Sequence, residues 1–280
     1  MSRLKAIWVI FALAMLPVFS GCIKSPETVP NPWLVPFQER HGSEISRSQM
    51  RAMVRLADIY RDAGFQKEYL SSMITAVELY AGDQTVTFEL LNTLIEGINK
   101  TRGEIAGYRL SLLGLGINPD QLSGENLPDA DPAWRIGTEF LNKRDELETQ
   151  YNECYRILSV ACGQIPYNAE LYYRTASLQY LRGLEDPDEE SRIEKFKDAI
   201  NFLKRAIASD STHLESYDLI ASCYQQLGDT NREIRFRRLF EVVYKIAPDV
   251  IGEGFISPQR REMHTKSEER LTSLGESIEE

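Results

Sequence analysis

Apolar side chains recur three and four positions apart from Gln49 to about residue 248, with polar residues between them. This spacing predicts amphipathic helices that each bury one face. Before it, residues 23–45 hold four prolines among polar residues, a pattern that disfavours helix and favours an extended tether. After it, Ser257 and Pro258 have the residue types that cap and begin a helix, and a charged segment follows to Glu280. The pattern predicts an all-α fold.

The helical body repeats itself. Small residues and glycines recur 45 residues apart, as in the sets Tyr172, Ala176, Gly183 and Tyr217, Ala221, Gly228. Alanines let two helices cross closely, and a glycine ends the first helix of a pair with a left-handed turn. The spacing equals a 34-residue unit plus an insertion from Leu184 to about Lys195, which we expect to lengthen the loop between two helices. Ala57, Gly64 and Ala76 fit the same frame near the start of the body.

This pattern resembles the tetratricopeptide repeat (TPR), a 34-residue helical hairpin. The resemblance implies a superhelical solenoid of about five helical pairs, at 49–82, 84–117, 131–166, 169–211 and 214–248. We therefore divide the body into N-terminal pairs (49–117), a loop or hinge (118–130), C-terminal pairs (131–248), and a loop with a charged capping helix (249–280). Glycines at 103, 107 and 114 make the second helix of the second pair either doubtful or unusually close-packed.

The first residues predict export. Arg3 and Lys5 precede an apolar run from Ala6 to Phe19, which is too short to span a bilayer and is typical of a signal peptide over 1–21. The Phe-Ser-Gly-Cys sequence at 19–22 resembles the lipobox of bacterial lipoproteins. That resemblance implies cleavage before Cys22 and lipidation of this cysteine, with residues 22–48 as lipidated anchor and tether. Ile23, in the place where Asp retains enteric lipoproteins in the inner membrane, favours the outer membrane, facing the periplasm. An ordinary cleaved signal and an uncleaved anchor are the alternatives.

Composition removes several classes of function. Acidic residues outnumber basic ones by 42 to 32, so the net charge of −10 disfavours nucleic acid as a partner. The sequence lacks Walker, HExxH, GxSxG and CxxC motifs. His41, His213 and His264 fall in the tether, a turn and the tail, away from any expected triad. We expect no enzymatic activity, no cofactor and no metal site.

Three cysteines remain beyond Cys22. Cys154 and Cys162 lie eight residues apart on one predicted helix, about 12 Å along its axis, which is beyond disulfide reach. Either could pair with Cys223 if the fold brings them together. The alternative is that all three fill small buried positions as free thiols.

The TPR resemblance also implies a concave groove lined by the first helices of the pairs. Carried over by position, it has two tyrosine anchors among polar residues of mixed charge: Tyr173, Ser177, Tyr180, Asp218, Ser222, Gln225, Arg135, Glu139 and Arg61. Alternatively, the tyrosines pack against the next repeat. A basic run on the last second helix is interpreted as a solvated outer face, or as a contact for anionic lipid headgroups: Arg232, Arg235, Arg237, Arg238 and Lys245.

The sequence thus predicts a membrane-anchored, exported TPR scaffold that binds proteins of the bacterial cell envelope during outer-membrane, secretin or periplasmic complex assembly. The membrane, through the lipid anchor, and envelope proteins are its expected partners. The alternative function is that of a TPR-type lipoprotein that accompanies a periplasmic solute-binding or transport system, with a small-molecule cavity beside the glycine-rich second pair.

Overall fold

The structure of the protein, a computed structural model, describes residues 35–124, 126–127 and 132–275. The predicted signal peptide, Cys22 and the first part of the tether lie outside these residues. Contacts divide the chain into two units, residues 1–45 and 46–280. Of the first unit, the described part is residues 35–45, which are helical.

The described residues form nine α-helices and two short 3₁₀ turns, without a β-strand. The helices are α1 (Val35–Asp62), α2 (Gln66–Leu79), α3 (Gln84–Gly114), α4 (Ala133–Gln164), α5 (Ala169–Glu185), α6 (Glu189–Ser209), α7 (Leu214–Gln226), α8 (Thr230–Ile251) and α9 (Pro258–Ser273). The 3₁₀ turns are Pro119–Gln121 and Glu253–Phe255. The all-α prediction is confirmed for the part of the chain described.

Three of the five predicted pairs are present as two helices joined by a turn: α1 with α2, α5 with α6, and α7 with α8. Gly64 and Gly228 end α1 and α7 in the left-handed region, with φ of 78° and 71°, as the repeat pattern predicts. The small residues of the pattern are completely buried at Ala57, Ala76, Ala161, Ala176, Ala199, Ala206 and Ala221. These alanines allow the helix crossings that the sequence spacing predicts.

The second and third predicted pairs are instead single helices. α3 has 31 residues and α4 has 32, and the two pack against each other as one long hairpin. Gly103 and Gly107 lie inside α3, and a Cβ at either would meet no atom within 4 Å, so they mark neither a turn nor a close approach. A glycine inside a helix costs about 1 kcal/mol relative to alanine, which a long packed helix tolerates. The prediction of five short hairpins is wrong here.

The predicted insertion lengthens helices rather than a loop. α5 continues to Glu185 and α6 begins at Glu189, capped by the Asp188 side chain, which accepts a hydrogen bond from the Ser191 amide. Gly183 therefore does not end α5. It faces the Phe196 ring of α6, and a Cβ at this position would lie 2.7 Å from Phe196 Cε1. Here glycine serves close helix packing instead of a turn.

The predicted tether is shorter than expected, because residues 35–48 form the first half of α1. Pro36 falls in the first turn of this helix, where a proline interrupts no backbone hydrogen bond.

The segment 118–130, predicted as a loop or a hinge, contains the 3₁₀ turn Pro119–Gln121 among its described residues. A single apolar cluster extends from α1 to α5 and includes Ala57, Met73, Leu91, Leu158 and Leu178, so the helices before and after the loop share one core. The described part of the loop is itself fixed, since Leu122 is buried against Leu112 and Phe140.

The C-terminal helices have smaller clusters. One joins α5, α6 and α7 around Leu203 and Ile220, and another joins α7, α8 and the second 3₁₀ turn around Phe240 and Phe255. The side chain of Ser257 caps α9, which begins at Pro258, but only Ser267 and Leu271 of this helix are buried. The interface between α8 and α9 therefore has few buried apolar residues.

Candidate functional site

The two tyrosines predicted to anchor a ligand in the groove are packed within the protein. Tyr173 on α5 contacts the ring of His213, with 5.2 Å between ring centroids, and Tyr180 contacts Phe196 at 5.6 Å. Burial raises the pKa of both phenols. Both side chains keep part of their surface exposed. Of the two alternatives, packing between helices describes their surroundings better than a fully open anchor.

The polar groove residues of α7 are directed towards α8. Asp218 Oδ1 lies 3.6 Å from Arg237 Nη1, and burial raises the pKa of this carboxyl despite the neighbouring arginine. Gln225 accepts a hydrogen bond from Arg237 at 3.3 Å. Ser177 on α5 and Ser222 on α7 are half-buried. The six predicted residues of α5 and α7 thus lie on neighbouring helices, and two of them, Asp218 and Gln225, are engaged by Arg237.

The other three predicted groove residues lie elsewhere. Arg61, at the end of α1, pairs with Asp58 at 2.6 Å and with Glu89 of α3 at 3.2 Å. Arg135 and Glu139 are exposed in the first turns of α4. In the described ranges no hydrogen bond or ion pair links these residues to the α5–α7 set. The nine residues do not form one contact network.

His213, which the sequence places away from any expected triad, has a serine and a carboxylate beside it in the structure. Its Nδ1 lies 2.9 Å from Ser216 Oγ, and its Nε2 lies 3.4 Å from Glu170 Oε2. Although a serine, a histidine and a carboxylate come together, Ser216 is completely buried in the first turn of α7. A nucleophile must reach its substrate, so a completely buried serine does not fit acyl transfer.

A buried ion cluster joins α8 to α9. Glu233 has a side chain only 1% exposed, and it accepts hydrogen bonds from Arg237 of its own helix at 3.0 Å and from Arg270 of α9 at 2.8 Å. Burial alone would raise the pKa of Glu233, but the two arginine hydrogen bonds outweigh it and lower the pKa. Arg237, which the sequence placed on a solvated face, is buried in this cluster because Glu233 and Asp218 flank it.

A second polar cluster lies between the same helices. Glu241 of α8 lies beside His264 and Glu268 of α9, with ligand-type atoms all within 4.8 Å of one another. The ring of Tyr244 stacks on His264 with 4.2 Å between centroids. The sequence does not reveal this group, because Glu241 lies 23 positions before His264 and 27 before Glu268. The spacing of four between His264 and Glu268, which places both on one helix face, is the signal that was available.

The side of α8 that faces away from α7 is partly apolar and basic. We call it the α8 outer surface, and it consists of Arg235, Arg238, Leu239, Val242, Lys245 and Ile246. Leu239, Val242 and Ile246 are 38%, 51% and 54% exposed. An open depression of about 370 Å³ lies on this side, lined by Asn231, Ile234, Arg235, Arg238, Leu239 and Val242.

A second open cavity of about 410 Å³ lies between the α6–α7 turn and the loop after α8. It is lined by Asp210, Thr212, His213, Ile251, Gly254, Phe255 and Arg260. Neither of these two cavities borders α3, where the sequence suggested a small-molecule cavity.

The three remaining cysteines are free thiols in the described structure. Cys154 and Cys223 are completely buried, and burial raises the pKa of each thiol to about 12. Cys162 is half-buried beside Thr175, at 3.7 Å. Buried thiols with raised pKa values are unreactive at neutral pH.

Among the described residues, no helix combines the length and the apolar character needed to cross a membrane. The chain matches no family model and no curated protein sequence. It is similar to the solved structure titled "TPR2AB-domain:pHSP90-complex of yeast Sti1", with a TM-score of 0.31 and 13% identity over 79% of this chain and 98% of that chain. A TM-score this low does not establish a shared fold, so the TPR assignment stays a prediction from the repeat pattern.

Proposed function

We propose that this chain is a protein-binding helical scaffold of the bacterial cell envelope, anchored through Cys22, which binds its partner on the α8 outer surface. The observation that carries the proposal is the exposure of three large aliphatic side chains, Leu239, Val242 and Ile246, on one face of a helix whose opposite face is buried. Contiguous exposed apolar residues rimmed by charged ones are typical of interaction sites. The proposal assigns the protein a binding role rather than catalysis.

The proposed occupant is an acidic amphipathic helix of a partner protein. Leu239, Val242 and Ile246 are spaced by three and four residues, so they form a stripe that a second helix can cover. Arg235 and Lys245 lie at the two ends of this stripe. Because the whole chain carries a net charge of −10, this basic surface is an exception that favours an acidic ligand.

The membrane location rests on the N-terminal sequence. The apolar run before residue 20, the small residues Ser20 and Gly21, and Cys22 support lipidation, and Ile23 supports the outer membrane. A Cys22→Ser variant is expected to leave the membrane fraction, whereas wild type stays in it. Membrane retention of the variant would instead indicate an uncleaved helical anchor.

Photo-crosslinking from single positions tests the binding surface. A photoreactive residue is placed at Val242 on the α8 outer surface, at Tyr180 in the predicted groove, or at the exposed control position Leu110 of α3, and cells are irradiated before purification. We expect a protein adduct from position 242 alone, attached to a segment with acidic and apolar residues at helical spacing. Leu239→Asp in the same chain is expected to abolish it, while Leu110→Asp leaves it unchanged.

Other outcomes would contradict the α8 surface. An adduct from position 180 alone would move the site to the groove between α5 and α7. A lipid adduct from position 242, together with binding of the purified soluble chain to anionic but not neutral vesicles, would make this surface a membrane contact.

A further inference from the structure

The polar cluster between α8 and α9 contains an unusual share of unsatisfied groups. Eight buried side-chain polar atoms make no hydrogen bond of normal geometry in the described part of the chain, and four of them are here: both carboxylate oxygens of Glu241, Nε2 of His264 and Oγ of Ser267. Glu241 and His264 nevertheless form a close ion pair. Buried polar groups are nearly always satisfied, and a cation between these atoms would satisfy several of them at once.

The geometry of the three strongest ligands fits a metal ion. Oε2 of Glu241 lies 2.7 Å from Nε2 of His264, and Oε1 of Glu268 lies 3.6 Å from the same nitrogen. Two ligands of a tetrahedral zinc ion with bonds of about 2.0 Å are roughly 3.3 Å apart. Small side-chain rotations would therefore place all three atoms around one ion.

The burial of the cluster also suits a bound cation. The side chain of Glu241 is nine-tenths buried, while those of His264 and Glu268 are 19% and 40% exposed. The carboxylate of Glu241 thus faces inward towards His264, and the cluster opens to solvent on the side of Glu268. Tyr244 stacks on the imidazole and fixes the orientation of its ring. An ion could enter from solvent and keep a water molecule as its fourth ligand.

We propose that Glu241, His264 and Glu268 form a binding site for a divalent transition-metal ion, Zn²⁺ in the first instance, which clamps α9 onto α8. One imidazole nitrogen and two carboxylate oxygens are ligands that Zn²⁺ accepts, whereas Mg²⁺ prefers oxygen ligands alone. The ion would neutralise the buried carboxylate and join two helices that share few apolar contacts. The site is independent of the proposed binding surface, because it lies on another side of α8.

Metal titration of the purified, chelator-stripped full chain tests the site. We expect one Zn²⁺ per chain, no saturable Mg²⁺ binding, and a Tm rise of about 5–10 °C when free Zn²⁺ exceeds its Kd a hundredfold. Co²⁺ in place of Zn²⁺ is expected to give visible d–d absorption bands. Amide hydrogen exchange of α9 is expected to slow in the presence of Zn²⁺.

Variants assign the ligands. His264→Gln should abolish binding, and Glu268→Gln, at the more exposed position, should weaken it by about tenfold or more while the chain stays folded. Glu241→Gln should remove the Zn²⁺-dependent rise in Tm without lowering the Tm of the metal-free protein, because it removes a buried charge. His213→Gln, which alters the other carboxylate-flanked histidine, and Glu262→Gln on α9 are the matched controls and should bind as wild type does.

Three results would overturn the proposal. The absence of saturable Zn²⁺ binding would show that the cluster is only a His–carboxylate ion pair. Equal binding by wild type and His264→Gln would place the metal elsewhere. If Zn²⁺ binds at this site and hydrogen exchange in α9 is unchanged, the ion does not hold α9 against α8.

Discussion

The first five helices and the interface between α8 and α9 are held together by different kinds of contact. From α1 to α5 one apolar cluster is continuous, and residues such as Met73, Leu91 and Leu158 are almost completely removed from solvent. Between α8 and α9 the central residues are instead Glu233, Arg237 and ionisable side chains around His264. Apolar packing tolerates changes in pH and salt, whereas a charged interface depends on the ionisation and pairing of each member.

The largest expected effect is in the apolar core. Leu158→Ala removes a completely buried side chain from the cluster and should lower the free energy of unfolding by about 2–5 kcal/mol. Leu110→Ala, at a position 72% exposed in the adjacent α3, is the control and should change it by less than about 0.5 kcal/mol. Denaturant unfolding monitored by circular dichroism measures both. Equal losses would show that the α1–α5 core is not the source of stability.

The charged interface should respond less strongly to one substitution. Glu233→Gln removes the closer of the two carboxylates beside the buried Arg237 and leaves Asp218 at 3.6 Å, and we expect a loss of about 2–3 kcal/mol in the free energy of unfolding. The matched control Glu262→Gln breaks the exposed pair with Lys266 and should cost at most about 0.5 kcal/mol. If both variants lose the same small amount, the buried cluster is no more stabilising than a surface pair.

The same interface offers a sharper form of this comparison. In Glu233→Met/Arg237→Met both buried charges are replaced by apolar side chains, and this variant should be more stable than Glu233→Gln, because the buried arginine is removed together with its closest carboxylate. If the double variant is less stable than Glu233→Gln, then Asp218 and Gln225 are sufficient partners for Arg237 once Glu233 is neutral.

Close helix packing can be tested with two glycines of opposite surroundings. Gly183→Ala places a methyl group 2.7 Å from Phe196 Cε1 and should cost about 1–3 kcal/mol. Gly107→Ala in α3 meets no atom and should instead stabilise the protein by about 0.5–1 kcal/mol through helix propensity. We expect Tm to fall for Gly183→Ala and to rise for Gly107→Ala. A rise in Tm for Gly183→Ala would contradict the close approach of α5 to α6.

The smallest effect concerns the turn between α5 and α6. Burial would raise the pKa of Asp186, but hydrogen bonds from Lys195 and Ser191 outweigh it and hold the pKa at about 2. A carboxyl with a lowered folded-state pKa stabilises the fold above its unfolded pKa near 3.8, and this contribution is lost as the pH falls towards 2. Asp186→Asn should therefore lower the Tm at pH 6 by a few degrees and leave it nearly unchanged at pH 2.

The sequence predicts the short helical pairs well because their determinants are local. Ala57, Ala176 and Ala221 mark close crossings, and Gly64 and Gly228 mark turns, so spacing alone locates three hairpins. The 34-residue frame predicts two short helices in place of the long α3 and again in place of α4, and in α3 the glycines at 103, 107 and 114 strengthened that interpretation. The absence of proline from residues 84–114 and 133–164 was the better signal, since proline interrupts a helix far more strongly than glycine does.

The candidate sites were harder to predict because their residues are distant along the chain. Glu233 meets Arg270 and Glu241 meets His264 only after α9 folds back onto α8, and no local pattern specifies that contact. The tyrosines at 173 and 180 were placed on the correct helix, and the alternative that they pack between helices describes their ring contacts. The exposure of Val242 and Ile246 likewise depends on which face of α8 is covered by α7, and this contact forms only in the folded chain.

The small apolar contribution to α9 makes this helix the part of the chain that can open by itself. With two buried residues among sixteen, its detachment would expose little hydrophobic surface, and its cost would be set mainly by the pairs that Arg270 and Arg260 make with Glu233 and Glu215. Ionic strength would then control the local equilibrium while the global midpoint of unfolding barely moves. The fraction of molecules with α9 detached can therefore change while the α1–α5 core stays fully folded.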